Sequence, residues 1–340
     1  MNDSLNHSVT FDRTPLRIDS PQSLLLSVVA LLLVIAGGSS ELSADGPNSN
    51  VVLNSVTDGF RIHMTYFPAY AKEGNQSNKN ALGSPDAGVV ILLHGKGGDR
   101  LVWDKKSGDS QLSFIDGLRN ELGFAVVTVD LRKHGESKSP DGAQDDAILR
   151  VEDYDNMWRG DLEAVKQFLM DEHQDKKLNV NKLGIIAADD MAPVAAQFAV
   201  FDWSKPPFDD APANQPQART RRGQDVRALV LLSPSANAGR SRLMAAAKTL
   251  RDPKAGIAML IIVGDGDELD RGVSKSVYQL VSAMDREHER TYLQSYKQVK
   301  FRGTDLLNNV DTLNVMAQFL NKHVQQLDSP WEDRRSRLER

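Results

Sequence analysis

The chain of 340 residues contains no cysteine. Without thiols it can form neither a disulfide framework nor a thiolate zinc site, and it cannot use a cysteine nucleophile. It also lacks any run of lysine and arginine long enough to follow a phosphate backbone. Its 41 basic residues are outnumbered by 46 acidic ones, which gives a formal net charge of −5. We therefore predict no nucleic-acid partner.

The rest of the composition is that of an ordinary globular protein. Apolar residues make up 40% of the chain and charged residues 26%, with 24 glycines and 14 prolines. A chain of this length can form one large α/β domain or two small ones. A hydrophobic core of substantial size is therefore expected.

A mostly apolar run occupies residues 24–36, after Arg13 and Arg17. Its 13 residues fall short of the roughly 17–25 that a membrane-spanning helix needs. Residues 42–44 (Leu-Ser-Ala) form an acceptable cleavage site. This order is typical of a signal peptide, so we predict that residues 1–44 are removed and that the mature protein is exported, to the periplasm or outside the cell, with no membrane span. The alternative is an uncleaved segment that anchors the protein in the membrane.

Composition divides the rest of the chain into three parts. Residues 45–58 predict a linker, residues 328–340 predict a disordered charged tail, and residues 59–327 carry the pattern of one folded domain. Within the domain, residues 203–224 are polar and rich in proline. They predict an inserted surface loop that could overhang the carboxyl edge of a sheet, where open α/β folds bind ligands.

Short apolar runs alternate with segments of helical periodicity throughout this domain. The runs are continuous in apolar residues, as strands covered on both faces require. This alternation predicts the α/β fold class, with a doubly wound, mostly parallel sheet of about eight strands and helices on both faces. The predicted strands are 59–67, 89–93, 125–129, 183–187, 228–232 and 257–263, and the predicted helices are 112–122, 161–173, 191–200, 241–250, 274–286 and 306–320.

Three loop motifs follow predicted strands. They are HGKGG at residues 94–98, DLRKHGES at residues 130–137 and GDGD at residues 264–267. Glycines suit the first loop because its backbone must turn tightly. In residue sequence and in their order along the chain, the motifs resemble those of the α/β-hydrolase superfamily, and the resemblance covers residues 59–327. Among its members, exported dienelactone-hydrolase-like and lysophospholipase-like esterases look most similar.

The resemblance implies roles for particular residues. His94, Gly95 and Lys96 would form the oxyanion loop, whose backbone N–H groups face a substrate oxygen. Asp267 would be the acid that orients a catalytic histidine. The nucleophile would lie on a sharp strand-to-helix turn after residues 183–187.

The family's elbow has small residues two positions before and two positions after the nucleophile, because the strained turn packs them against the backbone. Here the turn reads ADDMA at residues 188–192. Centring it on Asp190 places alanine at both small positions, whereas centring it on Asp189 places Met191 at one of them. We therefore predict Asp190 as the elbow residue, with Asp189 as second choice. Neither register offers a serine, but haloalkane dehalogenases and epoxide hydrolases of this superfamily attack through a carboxylate.

The resemblance also implies a histidine after the last strand, and the chain has none there. No histidine lies between His288 and His323, and the corresponding position falls on Arg302. Arginine stays protonated near neutral pH and cannot act as a base. We expect instead an ion-pair network in which Arg302 bridges Asp190 and Asp267. We predict neither a cofactor nor a metal site.

These features favour a degenerate hydrolase that serves as a binding or scaffold protein for a small hydrophobic or ester-like ligand. One alternative is an active ester, epoxide or haloalkane hydrolase in which Asp190 works with an unconventional base, His94 or His134. Another is a membrane-tethered interaction protein in which residues 203–224 meet a partner.

Overall fold

The computed structural model describes residues 48–73, 76–106, 113–139 and 148–340. The predicted signal peptide lies outside these residues. In the ranges described, no helix combines the length and the apolar character needed to cross a bilayer.

The strands are β1 (Ser49–Asn54), β2 (Arg61–Phe67), β3 (Tyr70–Glu73), β4 (Gln76–Leu82), β5 (Val89–Leu93), β6 (Ala125–Asp130), β7 (Leu183–Ala188), β8 (Val226–Leu232), β9 (Asn237–Ala238), β10 (Ser241–Arg242), β11 (Ala258–Gly264) and β12 (Thr291–Tyr296). The α-helices are α1 (Phe114–Asn120), α2 (Val151–Asn156), α3 (Leu162–Gln174), α4 (Met191–Ser204), α5 (Leu243–Leu250), α6 (Val273–Ser282) and α7 (Val310–Leu320).

Eight strands form one sheet in the order β1-β2-β6-β5-β7-β8-β11-β12. Strand β2 runs antiparallel to both of its neighbours, and every pair from β6 to β12 is parallel. The predicted fold class is therefore confirmed. The carboxyl ends of the parallel strands lie at one edge of the sheet, the carboxyl edge, and their amino ends lie at the other, the amino edge.

The parallel strands are apolar along their whole length because side chains on both of their faces are buried. In β7, Ile185 belongs to the core cluster on one face of the sheet and Ile186 to the cluster on the other. Helices α3 and α4 contribute to the first cluster, and α1 and α7 contribute to the second, for example through Phe114 and Phe319. Continuous apolar runs are the sequence pattern that this double coverage demands.

The part of the predicted linker 45–58 that the structure describes includes a strand of the sheet. Ser49–Asn54 forms the edge strand β1, which pairs with β2 from Ser49 opposite Tyr66 to Asn54 opposite Arg61. The side chains of an edge strand are partly exposed, so the strand needs no continuous apolar run. The sequence pattern that predicted the buried strands is therefore missing here. The domain therefore begins before residue 59.

The tail 328–340 also differs from its prediction, because it packs on the amino edge. Trp331 donates its Nε1–H to the carbonyl of His173 at 2.7 Å. Arg334 is 4% exposed and pairs with Asp225, the residue before β8. The charged composition of the tail predicts disorder, but the charge of Arg334 is compensated by the buried Asp225.

The inserted loop 203–224 lies at the amino edge as well. It leaves the end of α4 and stops just before β8, and the carbonyls of Arg221 and Gly223 accept hydrogen bonds from Arg334 at 3.0 and 3.1 Å. The prediction that this loop overhangs the carboxyl edge is wrong. A loop that leads into a parallel strand joins that strand at its amino end.

Four buried charges hold these parts together, and we call them the amino-edge cluster: Lys166, Asp202, Asp225 and Arg334. The Lys166 ammonium lies 2.7 Å from both carboxylates, and Arg334 pairs with Asp225. Each of the four side chains is at most 3% exposed. Two cations and two carboxylates compensate one another, which is the condition for burying charge.

Candidate functional site

The turn after β7 carries the two candidate carboxylates. Asp189 has a φ of +50°, in the left-handed region that residues other than glycine rarely adopt, whereas Asp190 has a helical φ of −68°. The N–H of Asp189 donates to the carbonyl of Leu232 at 3.0 Å, and its own carbonyl accepts from Ala192 at 3.2 Å. The structure therefore reverses the order of the two candidates and places Asp189 at the sharp turn.

The reason for this reversal is Met191. The family pattern disfavours a large residue two positions after the elbow, yet Met191, the first residue of α4, is fully buried in the core cluster to which α3 and α4 contribute. The methionine side chain is long and flexible, so it can extend away from the crowded turn and pack in the core. The size rule applied to the sequence therefore ranked second the register that the chain adopts.

The Asp189 carboxylate lies between two glycine backbones, those of Gly95 in the predicted oxyanion loop and Gly303 after β12. A methyl group added at either glycine would lie far inside van der Waals contact with Oδ2 of Asp189. Both positions therefore require glycine as long as the carboxylate is present. The Asp189 side chain therefore lies directly against the predicted oxyanion loop.

Arg302 joins Asp189 to Asp267, and we call these three residues the elbow triad. The Nε of Arg302 lies 2.8 Å from Oδ1 of Asp189, and its Nη1 donates to Oδ2 of Asp267 at 2.7 Å. Arg302 was expected to bridge Asp190 and Asp267. The bridge forms one residue earlier, because the turn directs Asp189 rather than Asp190 to this place.

Asp190 has separate partners at the start of α4. It accepts hydrogen bonds from Oγ of Ser235 at 2.6 Å and from the hydroxyl of Tyr154 at 3.1 Å, and Nζ of Lys96 lies 3.9 Å away. Nη2 of Arg302 donates to the same serine at 3.3 Å. One continuous polar network thus connects the oxyanion loop, the elbow triad and helix α2.

Sequence reasoning missed Ser235 and Tyr154. Ser235 follows β8 at the carboxyl edge, the edge at which open α/β sheets bind ligands, so its position was a usable signal. Tyr154 lies on α2, which no predicted element covers, and the sequence gives no reason to place it near the elbow.

The elbow triad carries more negative than positive charge. Burial raises the pKa of Asp189 to about 6, and the neighbouring Asp190, Asp267 and Asp305 add to the increase, although Arg302 opposes it. Burial and the Asp190 carboxylate also raise the pKa of Tyr154, so its hydroxyl remains a hydrogen-bond donor. A proton is therefore bound more tightly at Asp189 than at an ordinary aspartate.

The two histidines proposed as alternative bases serve their own loops. Nδ1 of His94 lies 2.7 Å from the carbonyl of Gly95, and Nδ1 of His134 lies 2.9 Å from the carbonyl of Arg132. A carbonyl only accepts, so each Nδ1 carries its proton. Throughout the described ranges, the hydrogen-bond and ion-pair partners of the two elbow aspartates include no imidazole.

The buried His94 should make the protein sensitive to acid. Burial, with His134 close by, lowers its pKa from 6.5 to about 4. A group with a depressed pKa in the folded state stabilises it above 6.5, and that stability is lost as the pH falls toward 4. This difference is worth about 3 kcal/mol. We expect His94→Asn, whose amide can still donate to Gly95, to lose much less stability over this pH range than the wild type in urea unfolding.

The control for this experiment is His288→Asn, because His288 is an exposed histidine with a positive φ that asparagine tolerates. It should leave the pH dependence of unfolding unchanged. Equal acid sensitivity in His94→Asn and the wild type would show that His94 does not titrate as its burial implies.

Among the residues that the structure describes, no group of three or more histidine and acidic side chains is arranged to hold a metal ion. The carboxylates of the elbow triad are instead compensated by Arg302.

Solved structures of hydrolases resemble this chain in fold. An esterase of Pyrococcus furiosus, Pf2001, is 15% identical, covering 85% of this chain and 96% of its own, with a TM-score of 0.51. A puromycin-hydrolyzing peptidase of Mycobacterium tuberculosis is 12% identical, covering 86% of this chain and 43% of its own, with a TM-score of 0.56. No protein-family model and no curated protein sequence matches the chain. At such low identity the similarity concerns the fold alone.

Proposed function

We propose that this chain, which has the α/β-hydrolase fold, does not hydrolyse substrates at its elbow and acts as a binding or scaffold protein. The observation that carries the proposal is the elbow triad, in which Arg302 forms ion pairs with both Asp189 and Asp267.

Hydrolysis at an elbow needs a base. A serine nucleophile gives up its proton to a histidine, and a carboxylate nucleophile needs an activated water to release its ester. The group beside Asp189 is a guanidinium, which stays protonated and can take a proton from neither. One oxygen of Asp189 faces Arg302 and the other is confined by two glycines, so the carboxylate is also poorly placed to attack.

The alternative of an active hydrolase built on Asp190 has less support. Asp190 is bonded to Tyr154 and Ser235 and lies outside the strained position of the turn. Neither of the two histidines considered as bases is among the hydrogen-bond and ion-pair partners of Asp190 in the described residues. Such a hydrolase would need an imidazole to move to Asp190 before it could act.

A small hydrophobic or ester-like ligand remains the proposed partner. Two exposed apolar side chains lie next to elbow-triad residues in the sequence: Phe301, which is 50% exposed, precedes Arg302, and Leu269, which is 65% exposed, follows Asp267 by two positions. Exposed apolar groups beside a polar network are suited to a ligand with one apolar part.

Export and membrane attachment rest on residues 24–36 and remain predictions. Mass spectrometry of the product from the native host distinguishes them, because a chain that begins near Asp45 indicates a cleaved signal peptide. An intact amino terminus would favour the membrane-tethered interaction protein, whose partner would meet the loop 203–224 at the amino edge.

The test of the proposed function is turnover of p-nitrophenyl acetate and p-nitrophenyl butyrate. We expect no hydrolysis above buffer by the wild type, and the same result for Asp189→Ala, because no base is present at the elbow. Turnover by the wild type that disappears in Asp189→Ala would contradict the proposal. Turnover that Asp189→Ala retains would place any activity away from the elbow.

A further inference from the structure

Three arginine side chains meet at Asn181, a buried residue that lies just before β7 at the amino edge. Nη1 of Arg334 donates to Oδ1 of Asn181 at 2.6 Å, and Nη2 of Arg221 donates to the same oxygen at 3.3 Å. Nε of Arg227, near the start of β8, donates to the backbone carbonyl of Asn181 at 3.1 Å. The elbow follows the opposite end of β7, so these arginines form a separate part of the molecule.

Two of the three positive charges are in surplus. Arg334 pairs with Asp225 inside the amino-edge cluster, whose two cations and two carboxylates already compensate one another. Arg221 has only a distant partner, because its Nη2 lies 4.0 Å from Glu332, whose side chain is 60% exposed. Arg227 has no ion-pair partner in the part of the chain that the structure describes. Arg221 and Arg227 therefore lack close counter-charges of their own.

The guanidinium of Arg227 is fixed in position. It lies over the ring of Trp203, 5.5 Å from the ring centroid, and Nε1 of Trp203 donates to the carbonyl of Val226 at 2.9 Å. Burial and the nearby Arg221 lower the pKa of Arg227, and attraction to Asp225 offsets this only in part. A partly buried cation beside another cation is stabilised when an anion binds to it.

Both surplus arginines also have hydrogen-bond donors to spare. Among the described residues, Arg227 donates through Nε alone and Arg221 through Nη2 alone. A guanidinium carries five N–H groups, so most of those on each side chain are left for a ligand. The Arg221 side chain is 34% exposed and Arg227 is half-buried, so a small solute can reach both.

We infer that Arg221 and Arg227 bind a phosphate group. The N–H groups of a guanidinium match the oxygens of a carboxylate or a phosphate. A carboxylate has a single charge and two oxygens, which one guanidinium satisfies. A phosphate monoester carries about −1.5 to −2 charges at neutral pH and has three oxygens that accept strongly. Because both guanidiniums are held on Asn181, one phosphate can accept from the two together, and its charge matches their surplus.

Isothermal titration calorimetry of the full chain with inorganic phosphate, at constant ionic strength, tests this inference. We expect saturable binding by the wild type. Arg227→Gln and Arg221→Gln should each weaken it about tenfold or more, because each variant loses charge-assisted hydrogen bonds to the anion. Thermal unfolding checks that the variants are folded. Arg221→Gln keeps the test decisive if Arg227→Gln is unstable, because Arg221 lies in the loop 203–224 rather than in a strand.

Arg222→Gln is the matched control. Arg222 is exposed, and its guanidinium lies over the ring of Phe208, 5.2 Å from the centroid. The variant removes the same charge from the same loop, next to Arg221 in the sequence. It should bind phosphate as the wild type does.

A lipid headgroup can carry the same phosphate group, so sedimentation with vesicles of phosphatidylcholine, with and without phosphatidic acid, forms a second arm. Vesicle binding that requires phosphatidic acid, Arg221 and Arg227, without binding of inorganic phosphate, assigns the site to a lipid headgroup. Binding of inorganic phosphate that requires the two arginines assigns it to a soluble phosphate.

Three results overturn the inference. The first is the absence of binding in both arms. The second is binding that Arg221→Gln and Arg227→Gln retain at full strength, because the phosphate then binds elsewhere. The third is equal weakening by Arg222→Gln, which reports a general effect of charge. None of these results depends on ester turnover at the elbow.

Discussion

Replacing Arg302 with methionine lowers the free energy of unfolding by about 3 kcal/mol at neutral pH, because Asp189 and Asp267 are left without their shared cation. The Asp267 side chain is only 3% exposed and that of Asp189 is 19% exposed, so water compensates the loss in part only. Urea unfolding of the variant and the wild type measures the difference.

The loss should depend on pH in a defined direction. The pKa of Asp189 is about 6 with Arg302 present, and removal of this cation raises it further. In the variant Asp189 therefore takes up its proton above pH 6. As the pH falls below neutral, the repulsion between the carboxylates weakens and the variant recovers part of its stability. Asp189→Asn combined with Arg302→Met should likewise lose less stability than Arg302→Met alone.

Lys96→Met is the matched control for Arg302→Met. It removes another cation from the same network, but the Lys96 side chain is 67% exposed and lies 3.9 Å from Asp190. Exposed ion pairs contribute little to stability, so this variant should unfold like the wild type. If Arg302→Met also unfolds like the wild type, the ion-pair account of the elbow triad is wrong.

Replacing Arg334 with methionine lowers the free energy of unfolding by about 3–5 kcal/mol, the cost of breaking a buried ion pair. Lys166 would then be the only cation of the amino-edge cluster left to balance Asp202 and Asp225, both of which are fully buried. The variant would also lose the hydrogen bonds that tie the tail to the loop 203–224. Chemical unfolding and proteolysis of the tail report the two effects.

The control for Arg334→Met lies one residue further along the tail. Arg335 is exposed and pairs with Asp333, so Arg335→Met should leave stability unchanged. A tail that is cleaved equally fast in the wild type and in Arg334→Met would mean that Arg334 does not hold it on the amino edge.

The fold could be predicted because its signal is local. Each parallel strand is buried on both faces and therefore appears as a continuous apolar run. Strand β1 and the tail gave no such signal. β1 is an edge strand in which four of six residues are exposed, and the tail includes a buried arginine, Arg334, whose partner Asp225 lies 109 positions away in the sequence.

The site was harder to predict because its geometry depends on packing. The residue types of the elbow triad were identifiable from the motifs, but the register of the turn was not. The register depends on how Met191 packs in the core, and a rule based on five consecutive residues contains no information about that packing. The same limit applies to Tyr154, whose contact with Asp190 joins residues 36 positions apart.

Covalent labelling with a fluorophosphonate tests most directly whether this chain, which has a hydrolase fold, carries an activated serine. The folded protein is incubated with the probe across the pH range in which it is stable, and its intact mass is then measured. We predict an unmodified chain, because the elbow offers a carboxylate held by a guanidinium and no serine. A single adduct that heat denaturation abolishes would reveal an activated serine and would contradict the account.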